Sequence, residues 1–481
     1  MLSAALTSSL LVVLGAAGVT AQQRQSLWGQ CGGMNWSGPT LCVDGAYCFE
    51  QNPWYHQCIP GSGPSTTSPA TSSTPQPPTT LGTSRVTTTP PTPTSTTTPG
   101  GGGGGPTTCP AIPSGLGTPV ANALNDPFTF HGGGKVTTKA DWACRQAELS
   151  QLQQQYELGT LPGKPASVTA SFSGSALRIT VSDNGKSISF SVTISNRPSG
   201  DGPFPAIITF GSFSSLPMPS GVATIAFNND EIAQQQDGSS RGKGKFYDLY
   251  GSAHSAGALT AWAWGVSRIL DALELTRAQT KIDPARIGVT GCSRNGKGAM
   301  VAGALEPRIA LTLPEESGAG GAGCWRIAAW QKSQGQNVQD ATQIVQENVW
   351  FSPAFNSYVN QVNNLPFDHH LLAGLIAPRP LYVMENADME WLGRASTYGC
   401  MGIARKQWQA LGALDRFGYS QVGGNSHCSF PTAQQGSELN AFIGKYLLNN
   451  PNAGNTDIFR STANQNFNLD SWCPWTVPNL A

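Results

Sequence analysis

The sequence predicts a doubly wound α/β sheet as its largest domain, preceded by a small disulfide-rich β module and a linker. Three observations carry the prediction. Short apolar, β-branched runs alternate with helix-compatible stretches beyond residue 170. A glycine-bracketed serine, Gly291-Cys292-Ser293-Arg294-Asn295-Gly296, lies between one such run and the helix-like stretch Lys297 to Leu305. Four cysteines crowd residues 25–60, whereas Gly61 to Thr108 is Ser, Thr, Pro and Gly with a single charge, Arg85.

The chain of 481 residues has room for two or three domains. Its formal net charge is zero, which gives no electrostatic case for nucleic acid or an anionic membrane as partner. Only 12% of residues are charged, a low value that suits a secreted protein.

Residues 1–21 read as a signal peptide. Leu6 to Val19 is largely apolar but too short to span a bilayer comfortably, and Val19-Thr20-Ala21 is a small-residue cleavage site. The leader lacks Lys and Arg before its apolar run, which leaves a membrane anchor as the competing interpretation. In an exported chain the 11 cysteines are expected mainly in disulfides.

Residues 22–60 form the first module, with Cys31, Cys42, Cys48 and Cys58. Four cysteines allow three pairings. So short a unit buries little core, so bridges must hold it. It is rich in aromatics: Trp28, Trp36, Tyr47, Trp54 and Tyr55. Flat rings of this kind stack on the apolar faces of sugars. Gln30-Cys31-Gly32-Gly33, Cys42, Gly45, Cys48 and Asn52-Pro53-Trp54-Tyr55-His56-Gln57-Cys58 resemble the fungal family 1 carbohydrate-binding module. The resemblance implies a cellulose face of Trp28, Trp54 and Tyr55, with Asn52 and Gln57 hydrogen-bonding beside it. It also implies bridges Cys31–Cys48 and Cys42–Cys58. Asn35-Trp36-Ser37 is an N-glycosylation sequon.

Residues 61–108 have no apolar periodicity and cannot pack a core. They read as an O-glycosylated, semi-extended linker with a reach on the order of 150 Å if polyproline-like.

Residues 109–481 carry the α/β pattern. Ala176 to Val181 and Ser187 to Ile194 flank Asp183-Asn184-Gly185-Lys186, a hairpin signal. Ala206 to Phe210 and Val222 to Phe227 are buried strands. Leu259, Trp262, Ala263, Val266, Leu270 and Leu273 recur at helical spacing, so 255–277 is an amphipathic helix in which Trp262 and Trp264 pack. Further strands are expected at 285–290, 309–313, 380–384 and 416–422. Active sites of such sheets lie beyond the carboxyl ends of strands.

Strand, glycine-bracketed serine and helix together make a nucleophile elbow, although Asn295 stands where G-x-S-x-G has its second glycine. A serine nucleophile needs a base and a carboxylate to orient it. Of six histidines, His427 lies just after the last strand, the place of the base in an α/β-hydrolase three-layer sandwich. Cys292 precedes Ser293 and Cys428 follows His427, so a bridge between them would staple nucleophile to base. The carboxylate stays open on pattern alone. Asp388 and Glu390 follow one strand, and Glu315 and Glu316 follow another in a Gly-rich segment.

Gly291-Cys292-Ser293-Arg294-Asn295-Gly296-Lys297, Glu316-Ser317-Gly318-Ala319-Gly320-Gly321 and Asn425-Ser426-His427-Cys428 resemble the fungal glucuronoyl esterases of carbohydrate esterase family 15. The resemblance implies a triad of Ser293, His427 and Glu316, with Arg294 at the oxyanion hole. It implies that Lys297, Gln339, Glu347 and Trp391 bind the glucuronate. It implies bridges Cys109–Cys144, Cys292–Cys428 and Cys324–Cys400, with Cys473 left free. The implied substrate is an ester of 4-O-methyl-glucuronic acid on xylan with a lignin alcohol, cleaved without metal or organic cofactor. Nothing in the sequence points beyond a monomer. The rivals are an acetyl-xylan or feruloyl esterase, a glycoside hydrolase with two carboxylates across a cleft, and a non-catalytic cell-wall-binding protein.

Overall fold

The computed structural model describes residues 24–25, 30–32, 38–52, 55–60, 109–120, 122–212, 214–463 and 467–480. The chain divides into two compact units, the division falling after residue 90.

In the first unit β1 (Arg24–Gln25) runs parallel to β3 (Leu41–Cys42). The strands β2 (Gln30–Gly32), β4 (Ala46–Asn52) and β5 (Tyr55–Pro60) form an antiparallel sheet with β5 in the middle. Cys31 is bridged to Cys48 and Cys42 to Cys58, and Cys31, Cys42 and Cys58 make the buried centre. Sulfur thus replaces the hydrophobic core that so few residues cannot build. Trp28 and Trp54 of the expected cellulose face, and Asn35 of the sequon, lie outside the described residues. Asn52 sits on β4 and Tyr55 and Gln57 on β5, and only their backbone is described.

The second unit is built on ten strands. They are β6 (Ser167–Ser173), β7 (Ala176–Asp183), β8 (Lys186–Ser195), β9 (Phe204–Phe210), β10 (Ala223–Phe227), β11 (Ile282–Cys292), β12 (Leu311–Glu315), β13 (Leu381–Asn386), β14 (Phe417–Val422) and β15 (Ile458–Ser461). The sheet order is β15-β14-β13-β12-β11-β9-β10-β8-β7-β6. Strands β6, β7 and β8 are antiparallel, β8 pairs antiparallel with β10, and the others are parallel.

The period of two along each strand feeds two faces. On β9, Ile207 joins a cluster with Leu311, Leu313, Tyr382 and Met384 under Leu439 and Phe442 of the helix Thr432–Tyr446. Phe210 instead meets Trp262 of the helix Ala258–Leu275. That helix is apolar nearly all round and is buried, with Trp262 Nε1 donating to Ala233 O at 2.9 Å. Helices therefore cover both faces of the sheet, giving three layers.

Two expectations need adjustment. The helix expected from Lys297 starts at Arg294, directly after the serine. The edge strand β6 is absent from the sequence reading: Val168, Ala170 and Phe172 alternate with Ser167, Thr169, Ser171 and Ser173, but the apolar set is only three residues and none of them is fully buried. Cys109 is bridged to Cys144 and Cys324 to Cys400, while Cys473 is buried and unbridged.

Candidate active site

Ser293 stands between β11, which ends at Cys292, and the helix Arg294–Leu305, whose N-cap it is. Its φ of 60° is the left-handed region, a conformation that costs about 1–3 kcal/mol for a residue with a Cβ. The turn is held open for it: Ser293 N donates to Glu315 O at 3.0 Å, and Lys297 N to Ser293 O at 3.0 Å. A Cβ on Gly296 would stand 2.5 Å from Glu315 O, so this glycine is obligatory. The exceptional residue, Asn295, is accommodated by Gly211 opposite, where a Cβ would lie 2.5 Å from Asn295 Nδ2.

Glu316 follows β12, also with a left-handed φ, 43°. Its carboxylate is buried and every lone-pair direction is used. Oε2 accepts from His427 Nδ1 at 2.5 Å and from Cys428 N at 3.0 Å. Oε1 accepts from Asn425 Nδ2 at 2.9 Å and Asn386 Nδ2 at 3.2 Å. A carboxylate only accepts, so the His427 proton sits on Nδ1 and the lone pair is on Nε2, as a general base requires.

His427 lies in the loop after β14, and the next residue, Cys428, has φ 60°. Cys428 is bonded to Cys292, with Cα atoms 5.7 Å apart. A nitrogen of His427, an oxygen of Glu316 and the two sulfurs all lie within 4.8 Å of one another. Both sulfurs are spent in the bridge, so this cluster offers no thiolate to a metal. The structure thus brings the loops after β11, β12 and β14 together at one end of the sheet.

The other carboxylates have different work. Asp388 is exposed and Oδ2 accepts from Gly424 N at 2.6 Å, shaping the histidine loop. Glu390 is exposed in the turn Glu390–Leu392. Glu315 is buried and both its oxygens accept from Ser215 Oγ, at 2.8 and 2.6 Å. Burial, with Glu316 nearby, pushes its carboxyl up to about 7. Adjacent Glu315 and Glu316 are each tied down on their own partners, so they do not flank a cleft as a glycosidase pair would.

Around these groups the remaining expected residues form one chain of contacts. Trp391 stands edge-on to the His427 ring at 4.8 Å. Its carbonyl accepts from Gln339 N at 3.0 Å, and Gln339 Nε2 donates to Glu347 Oε2 at 2.8 Å. Glu347 Oε1 is 4.0 Å from Arg294 Nη2, both side chains being partly exposed. Arg294 and Lys297 each lie over the Trp350 ring, at 5.4 and 5.5 Å. Lys297 is 3% exposed and donates to Ser317 O at 2.7 Å. Burial brings its ammonium down to about 8, against the pull of Glu385 and Glu347. Trp350 and Asn386 escaped the sequence reading, and Asn425 entered it only as part of the histidine motif, without a role of its own. Trp350 sits in an apolar run that reads as core, and Asn386 ends an apolar strand with no motif around it.

Comparison with known proteins places this arrangement. The family profile "Glucuronyl esterase, fungi" matches residues 179–412, and "Fungal cellulose binding domain" matches 27–55. The chain is 76% identical over 483 residues to a 4-O-methyl-glucuronoyl methylesterase of Podospora anserina, covering all of both chains. The chain belongs to the fungal glucuronoyl esterase family. A second fungal glucuronoyl esterase, the 4-O-methyl-glucuronoyl methylesterase of Hypocrea jecorina, is 57% identical, with 96% of this chain and 97% of that one covered. The glucuronoyl esterase catalytic domain from Hypocrea jecorina superposes with a TM-score of 0.72 at 59% identity, over 76% of this chain and 99% of that one. A glucuronoyl esterase mutant from Sporotrichum thermophile, solved in complex with methyl 4-O-methyl-beta-D-glucopyranuronate, gives a TM-score of 0.72 at 52% identity, over 75% of this chain and 96% of that one. The fold is accordingly that of the α/β-hydrolase esterases.

Proposed function

We propose that this chain is a secreted serine esterase. It hydrolyses the ester between 4-O-methyl-glucuronic acid of glucuronoxylan and an alcohol of lignin, and its first module holds it to cellulose. In this reading residues 1–21 are a signal peptide, 22–60 the cellulose-binding module, 61–108 a linker and 109–481 the esterase. It acts as a monomer. No helix among the described residues is long and apolar enough to cross a membrane. The observation that carries the reading is the 2.5 Å contact of His427 Nδ1 with Glu316 Oε2, beside the bridge from Cys428 to Cys292.

The chemistry follows from the groups. Ser293 Oγ attacks the C6 carbonyl carbon and its proton passes to His427 Nε2. The resulting imidazolium is stabilised by Glu316, whose carboxylate is fixed by four donors. The oxyanion develops at the start of the helix Arg294–Leu305, where the first-turn backbone N–H groups and the Arg294 guanidinium meet it. His427 then gives its proton to the departing alcohol oxygen. Water, deprotonated by the same nitrogen, attacks the acyl carbon and releases glucuronate and Ser293. Lys297, Gln339, Glu347 and Trp391 bind the sugar acid. Such a polar set suits a hydroxylated acyl group better than an acetyl or an aromatic one.

The test compares benzyl 4-O-methyl-glucuronate with a matched acetylated xylan. Hydrolysis of the uronate ester alone supports the proposal. Release of acetate with the uronate ester untouched would move the protein to the acetyl-xylan esterases and remove the assigned sugar contacts.

A further inference from the structure

One buried acid has no part in the chemistry above. Glu385 lies on β13 and is 2% exposed. Its Oε1 accepts from three donors: Ser317 N at 2.9 Å, Ser317 Oγ at 3.0 Å and Gly318 N at 3.2 Å. All three belong to the two residues after Glu316. The residues flanking Glu385 reach the same segment. Met384 O accepts from Glu316 N at 2.7 Å, and Asn386 Nδ2 donates to Glu316 Oε1 at 3.2 Å. Three consecutive residues of β13 therefore grip three consecutive residues of the acid's loop.

We infer that Glu385 is a positioning residue for Glu316, holding the Ser317 and Gly318 amides so that Glu316 keeps its left-handed turn and aims at His427. The inference rests on the triad reading above. The loop needs such a hold. Glu316 and Gly318 have φ of 43° and 56°, and a loop with a non-glycine left-handed residue relaxes unless its surroundings over-determine it. On the opposite side of the Ser317 peptide the Lys297 ammonium takes the carbonyl. The peptide is thus clamped by an acceptor on its N–H and a donor on its C=O. A carboxyl so deeply buried is costly, which sets it apart from ordinary packing. The charged or titratable groups facing it are Lys297, Glu316 and Tyr419. Burial, with Glu316 adding, pushes its carboxyl up to about 7. Below that pH it is a neutral acceptor, which glutamine mimics closely.

The experiment measures kcat, KM and the acid limb of kcat/KM for Glu385→Ala, Glu385→Gln, Ser317→Ala and, as reference, Glu316→Ala. Glu385→Ala should lower kcat about 30-fold or more with KM within about twofold, and move the acid limb down by roughly one pH unit as the imidazolium loses support. Glu385→Gln should stay within about threefold of wild type with an unmoved limb. Should Glu385→Ala fail to fold, Ser317→Ala removes one donor and should give the same signature at about three- to tenfold. Glu385→Ala or Ser317→Ala with wild-type kcat and limb, beside a crippled Glu316→Ala, would overturn the inference and leave the triad standing. Glu385→Gln as slow as Glu385→Ala would overturn it too, since the amide offers the same acceptor. An active Glu316→Ala would instead remove the triad reading beneath it.

Discussion

The bridge from Cys292 to Cys428 joins the residue before Ser293 to the residue after His427, across 136 positions of sequence. Ser293 and His427 follow different strands, β11 and β14, and each loop has other freedoms. The covalent link removes them. Closing so long a loop also restricts the unfolded chain, by up to about 5 kcal/mol in the loop-entropy view. The double variant Cys292→Ser/Cys428→Ser should therefore melt at lower temperature and lose more in kcat than it gains in KM. Calorimetry and steady-state kinetics on the same preparation check both. Unchanged kcat with lowered melting would make the bridge purely a stability device.

Arg294 should matter more to the rate than to binding. Arg294→Ala is expected to cost about 10²–10³ in kcat, the usual loss for one oxyanion donor. Glu347→Gln should cost less in kcat and more in KM, because Glu347 reaches both Arg294 and Gln339. Equal losses in KM for both variants would place Arg294 among the sugar contacts instead.

Trp391 meets the His427 ring edge-on at 4.8 Å. Such a contact is worth about 0.5–1.5 kcal/mol, so Trp391→Ala should lose roughly three- to tenfold in kcat beyond any effect on KM. Trp391→Phe, which keeps an aromatic edge, should recover most of the kcat. A loss of KM alone in both variants would confine Trp391 to binding.

Glu315 gives a pH signature of stability. Its carboxyl lies at about 7 in the fold, above the ordinary 4.5. The folded state therefore binds the proton more tightly than the unfolded chain. The stabilisation this brings is complete below about pH 4.5 and is lost as the pH rises to about 7. Glu315→Gln abolishes the titration. The melting temperature of the variant minus that of wild type should be more positive at pH 8 than at pH 4.5. An equal difference at both pH values would contradict the raised value.

The elbow was legible because its chemistry restricts composition. A serine in a left-handed turn needs a neighbour as small as Gly296, and the flanking strand and helix carry ordinary periodic patterns. The histidine was legible from its place after the strand expected at 416–422, but that strand, β14, is not the last one: β15 (Ile458–Ser461), too short to read from pattern, follows it and pairs with it. The acid was not. Asp388, Glu390, Glu315 and Glu316 all follow strands, and what separates them is a backbone angle at 316 and the reach of His427, neither of which is written locally. The family resemblance supplied the choice. The β13 template escaped for the same reason: Glu385 is one carboxylate at the end of an apolar strand, and its role exists only through the loop folded against it. The helix Arg394–Ala410 was also missed, since its Ser, Thr and Gly residues weaken the periodic signal that its buried side chains would otherwise give.

The most direct test of the central claim is the rate of hydrolysis of benzyl 4-O-methyl-glucuronate by Ser293→Ala. The substituted side chain is small and the turn is held by backbone contacts that do not involve the hydroxyl, so the fold should persist, as circular dichroism can verify. The account predicts a fall in kcat of roughly 10⁵ or more, the scale seen when a serine nucleophile is removed. A folded variant that retains a tenth of the wild-type rate would contradict it and place the nucleophile elsewhere.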